Sequence, residues 1–77
     1  MKFRVITHTL DNNMKPIESS KQVYNIGEFK DIDEAYTNVL HGVLCNAPNG
    51  ATNDKENHEL SFLNGVNMVT WKVEENI

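Results

Sequence analysis

Two side chains able to hold a metal stand four residues apart, His41 and Cys45. On a helix that spacing puts an imidazole and a thiolate on one face, where they could supply two ligands of a tetrahedral zinc site. Two more ligands would be needed. The only other histidines are His8 and His58, and no Cys-x-x-Cys or His-Glu-x-x-His accompanies the pair. A surface histidine beside an incidental thiol accounts for them, so no metal and no cofactor is expected. As a nucleophile Cys45 would need a base and an anion hole. His41 could be the base, but the helix N-terminus that lowers a thiol pKa lies at the far end.

The acids Asp31, Asp33 and Glu34 could be an acid–base set. Capping and the helix dipole explain all three without catalysis. Asn49-Gly50 lacks the Gly-rich pattern and lysine of a phosphate loop. Trp71 and Tyr24 could stack on a base or sugar, yet Trp71 reads better as core. No enzymatic activity is expected.

Composition narrows the class further. Seventy-seven residues make one domain, 1–77, near the lower end of what folds alone. A single cysteine excludes an internal disulfide and fits a reducing, cytoplasmic setting. The first ten residues lack the apolar run of a signal peptide, and nothing approaches the roughly 20 apolar residues of a membrane span. The last four, Glu74-Glu75-Asn76-Ile77, read as no lipidation or retention signal. A net charge of −4 with a pI near 5.2 disfavours direct nucleic-acid binding and an anionic membrane surface.

These side chains need elements to position them. Residues 2–10, with Phe3, Val5, Ile6, Thr7 and Thr9, read as a strand. Asp11 to Pro16 reads as a turn or wide loop, and 21–29 as a second strand with a bulge or bend at Gly27. The helix has the clearest signature. Asp31 caps it, Glu34 completes a capping box, and Ile32, Ala35, Tyr36, Val39, Leu40, Val43 and Leu44 recur on one face. It should stop near Cys45 or Asn46, before Pro48. Residues 46–58 read as a long loop.

Asn64-Gly65 then predicts a type I′ hairpin turn between 59–63 and 66–74. That turn pairs Leu63 with Val66 and Leu60 with Val69, and gives Leu60, Phe62, Val69, Trp71 and Val73 one shared, core-facing side. The fold class is therefore α+β, in the order ββαββ: one helix on a four-stranded, mainly antiparallel sheet. A right-handed crossover would set the first and last strands side by side and parallel. In element order this resembles the β-grasp of the immunoglobulin-binding domains of protein G.

One helix covers one sheet face, yet apolar residues occur on both. Ile6, Tyr24, Ile26, Leu63, Val66 and Met68 are expected on the uncovered face as a partner-binding surface. Leu10 shares that side, opposite a core side carrying Phe3, Val5, Val23 and Phe29. The function expected is a small non-enzymatic protein-binding module. A chain so short, acidic, rich in asparagine and free of motifs also resembles the small host-takeover proteins of bacteriophages. That resemblance implies an inhibitor that occludes a site on a host protein.

Two alternatives stand beside it. Glu28, Asp31, Asp33 and Glu34 form one acidic group, Asp54, Glu56 and Glu59 a second, and Glu74 and Glu75 a third. Brought to one edge, they could imitate DNA phosphates and inhibit a DNA-binding protein. Lys30, Lys55 and Lys72 interrupt them, as on an ordinary solvated surface. The other alternative is a self-associating structural homodimer through the uncovered face.

Overall fold

A computed structural model describes residues 1–46 and 51–77, the side chains of 44–46 excepted. The order is β1 (Lys2–Thr9), a 3₁₀ turn (Glu18–Ser20), β2 (Gln22–Glu28), α1 (Ile32–Asn46), β3 (Thr52–Asp54), β4 (Glu59–Asn64) and β5 (Asn67–Glu75). The strands form one antiparallel sheet in the order β2-β1-β5-β4-β3, with α1 packed on one face. The chain is α+β. No described helix is long and apolar enough to cross a membrane.

Four strands with a parallel central pair are not found. Thr52–Asp54, inside the segment expected to be loop, pairs with β4 through Asn53 and Leu60. That short edge strand changes the parity of the chain. The helix carries the chain from one sheet edge to the other, and β3 starts out parallel to β2. Two further reversals leave β5 antiparallel to β1 rather than parallel to it. The β-grasp arrangement needs two strands after the helix, and here there are three.

Local chemistry shapes the ends of each element. Asp31 accepts from the Glu34 amide at 2.9 Å, and its own carbonyl takes the first helical bond from Ala35. Glu34 reaches back to the Lys30 amide at 2.7 Å, one residue further than a standard capping box. Gly27 sits at φ +99 in the bulge of β2, where the register with β1 slips between Phe3 and Arg4. The Asp11 carboxylate closes the β1–β2 loop by accepting from the Asn13 and Lys15 amides, and Met14 turns it with φ +61.

The last hairpin turns one residue later than expected. Leu63 pairs with Met68 and Asn64 with Asn67, so the turn residues are Gly65 and Val66. Gly65 has φ +69 and Val66 does not share it, a pattern that fits a type II′ turn. Moving the turn by one residue shifts the register by two, so the faces are unchanged. Leu60, Phe62, Val69, Trp71 and Val73 share the helix side, as the alternation requires.

The core is Phe3, Val5, Leu60 and Val73 from the sheet against Ala35, Tyr36 and Val43 from the helix. Ile32, Val39 and Leu40 flank it, completing the expected helical face at every described position. Because Leu60 is wholly buried, Leu60→Ala should lower unfolding free energy by about 2–5 kcal/mol. Leu63→Ala, on the opposite face of the same strand and half exposed, should cost less than about 0.5 kcal/mol. Urea titrations of the two variants check this contrast, and equal losses would contradict the face assignment.

Candidate functional site

Strand pairing sorts the sheet into two sides. Arg4, Ile6 and His8 of β1 alternate away from α1, while Phe3, Val5, Thr7 and Thr9 alternate toward it. The helix covers only the end of its own side that carries Phe3, Val5, Val73 and Leu60. Among the described residues the other end carries no covering element, and a groove of about 490 Å³ lies there. Thr7 and Thr9 form its floor on β1, with Val69 beside them on β5. Gln22 and Tyr24 rise on one flank from β2, and Trp71, Phe62 and Asn64 on the other from β5 and β4. Ser20 completes the lining, and His8 borders it between Thr7 and Thr9 with its side chain alternating to the far face.

The groove exists because small residues lie between large ones. Thr7 pairs with Gln22 on one side and Trp71 on the other, so a β-branched hydroxyl residue separates the aromatic walls. The walls stand two strand spacings apart, about 9.5 Å between backbones. Phe62 meets Trp71 edge to face, ring centroids 5.5 Å apart, which holds that wall rigid. On the opposite wall the Tyr24 hydroxyl donates to the Gln22 carboxamide oxygen. Thr7 is the polar member of the buried set. Among the described residues no hydrogen bond engages its hydroxyl or the Trp71 indole N–H.

Tyr24 and Ile26 were expected on the uncovered face, and the structure corrects both. Tyr24 pairs with Val5 and therefore lies on the helix side, as a groove wall. Ile26 packs against the core, and Val23 takes the far face beside Ile6. Ile6, Leu63 and Met68 do lie on the far face, while Val66 is fully exposed at the hairpin tip. The far face is no continuous apolar patch. Lys72 stands between Ile6 and Glu59, Thr70 and Ser61 follow, and Arg4 Nε donates to Glu74 Oε1 at 2.7 Å.

A second cluster ties the β3–β4 turn to the helix. His58, with φ +53, places Nε2 at 2.9 Å from Asp33 Oδ1 and its ring edge-on to Tyr36. The Tyr36 hydroxyl donates to the Glu59 carbonyl at 3.0 Å and lies against the Asn53 carboxamide. Burial holds the Tyr36 phenol above its ordinary pKa. Asp54 is held below the usual carboxylate range, first by the Asn57 side chain that donates to it at 2.9 Å. An Asp–His pair beside a tyrosine could in principle move protons, but every partner here bridges one element to another, which makes it a clamp.

The three acidic groups gather at one end of the molecule. Glu28, Glu74 and Glu75 pair with the start of β1, Asp54 pairs with Glu59, and Asp31, Asp33 and Glu34 open the adjoining helix. Lys2, Arg4, Lys30 and Lys55 lie among them, and Glu74, Asp33, Asp54, Asp31 and Glu34 already hold partners within the fold. His41 is exposed, and among the described residues no group of acids, histidines and cysteines could hold a metal. The Cys45 side chain and the Asn49-Gly50 pair lie outside the described residues.

The apolar periodicity does not reveal the groove, but the polar residues on its floor and flank mark it. Thr7, Thr9 and Gln22 are polar where a covered core strand would be apolar.

Because Tyr36 is held neutral in the fold, stability should be full below pH 10.0, the ordinary phenol value, and fall as pH rises through the raised folded value. Tyr36→Phe should remove that part of the alkaline loss and cost about 1 kcal/mol at neutral pH, from the bond to the Glu59 carbonyl. Unfolding free energy measured against pH for both proteins checks the sign. A scan against protein-family models and searches of curated proteins and of solved structures give no match.

Proposed function

We propose that the chain is a small protein-binding module without catalytic chemistry of its own, acting by covering a site on another protein. The observation that carries this reading is the aromatic groove, where Tyr24, Phe62 and Trp71 stand partly exposed on the side of the sheet that the helix should have covered. Tyrosine and tryptophan supply large, stiff contact area with a polar end, and interfaces concentrate them. The groove's walls, two strand spacings or about 9.5 Å apart, leave room for a short segment of a partner. The inhibitor role follows if the covered site is one the partner needs.

A second reading, occlusion of a DNA-binding protein by acidic mimicry, is favoured by the gathering of nine of the eleven acidic residues at the end away from the groove. The two readings place the partner at opposite ends of the molecule and differ in salt dependence.

Affinity capture with mass spectrometry at two salt concentrations, using the native protein and Tyr24→Ala, tests both. The groove reading expects one partner retained at high salt and lost with Tyr24→Ala, while Val66→Lys, at the exposed hairpin tip, retains it. Capture lost with salt but indifferent to Tyr24→Ala favours mimicry. No partner retained under either condition contradicts both.

A further inference from the structure

Two strands bound the sheet, β2 and β3. An edge strand presents unpaired N–H and C=O groups from alternate residues, and native proteins blunt such edges with short length, charge, proline or bulges. The β3 edge is blunted, with three exposed residues that end on the charged Asp54. The β2 edge is not. It runs for seven residues, and its ladder partner among the described residues is β1 alone. From Gln22 to Ile26 it holds no charge and no proline, and Val23 and Tyr24 are each half exposed. The bulge at Gly27 touches only the strand's last turn of pairing.

The charges flanking this neutral stretch narrow what can pair with it. Lys21 leads into the strand in extended conformation, and Glu28 ends it. Lys21 precedes Gln22, whose partner Thr7 faces the helix, so Lys21 alternates to the far face. Glu28 pairs with Lys2, which alternates with Arg4 on that same far face. Seven residues apart, the two would lie on opposite faces of a regular strand. The Gly27 bulge brings them to one. Both side chains are exposed, and among the described residues neither makes an ion pair, although Lys2 lies across from Glu28.

A strand with a cation at one end, an anion at the other and a neutral centre complements its own sequence read backwards. A second copy related by a twofold axis perpendicular to the sheet runs antiparallel and keeps like faces together. Lys21 of each copy then meets Glu28 of the other. Long-range charge selects the same orientation. Nine of the eleven acidic residues gather at the Glu28 end, and antiparallel pairing sets the two acid-rich ends apart, where parallel pairing would set them side by side. We infer that the β2 edge is the interface of a homodimer, in which two copies join through antiparallel β2 strands into one continuous sheet. It uses the sheet edge and does not depend on what the groove holds.

An interface of one strand is small, and those below about 1,200 Å² are weak and transient, so association belongs at high micromolar concentration. Sedimentation equilibrium of the intact chain from about 10 μM to 1 mM tests it, with a monomer–dimer equilibrium as the expected result. Lys21→Glu and Glu28→Lys should each raise the dissociation constant about tenfold, because attraction becomes repulsion at two symmetric contacts. The double variant, with the charges exchanged, should restore association. Both positions are exposed, so unchanged far-UV circular dichroism is expected for all three variants. Amide hydrogen exchange in the dimer should slow at alternate residues of 22–28. A monomer at every concentration overturns the inference. So does a dimer indifferent to these reversals, or one in which the two single variants move in opposite directions, as net charge alone would dictate. Exchange protection gathered at Ile6, Leu63 and Met68 instead of β2 also overturns it and assigns self-association to the far face.

Discussion

The organisation of this protein follows from a mismatch of widths. An α-helix with its side chains is about 10 Å across, whereas five strands span about 19 Å between the outer backbones. One helix therefore cannot shield a whole face of this sheet. The chain concentrates what the helix does cover, Phe3, Val5, Leu60 and Val73, into one small core. On the same side beyond the helix it places Thr7, Thr9 and Gln22, which tolerate water, between aromatic rings that do not need full burial. The groove is what remains of a face that is too wide for its cover.

The same constraint divides the molecule into two ends. At the covered end the helix start, the β3–β4 turn and the beginning of β1 meet, and there the acids act mostly as local fasteners. Asp31 and Glu34 cap the helix, Asp33 holds His58, and Glu74 holds Arg4. Tyr36 sits at the centre of these fastenings, with its hydroxyl bridging to β3 and β4. At the open end the contacts are aromatic and neutral. The 3₁₀ turn before β2 is stitched back to β1, where Ser20 Oγ accepts from the Thr9 amide at 2.8 Å. That brings Ser20 and Gln22 up to the groove.

Much of this architecture was legible in the residues, and the failures have physical causes. The helix was plain because its cap, its acidic first turn and its apolar spacing all agree. The faces of β4 and β5 were plain because an error of one residue at the turn moves the register by two. β3 was invisible: three residues, Thr52–Asp54, all exposed and without an apolar alternation, pair only because β4 offers an edge. Missing it reversed the expected direction of β5. The residues of β2 do not reveal which side Tyr24 and Ile26 take, because the strand carries apolar residues on both faces, Val23 opposite Tyr24. Its register depends on the wide 11–21 connection, whose span the residues do not dictate. Phe29 still reaches Phe3, ring centroids 6.3 Å apart, because the Gly27 bulge turns the strand end inward.

Acrylamide quenching of Trp71 emission in the isolated protein measures the central claim most directly, because that ring lies on the helix side of a central strand, at the border between the core and the groove. The account predicts a folded protein whose single indole, half-buried against the core, is partly open to the quencher and becomes more so on unfolding. An indole sealed from the quencher in the native state would mean that the helix, or the chain that follows it, covers the whole face and that no groove is open.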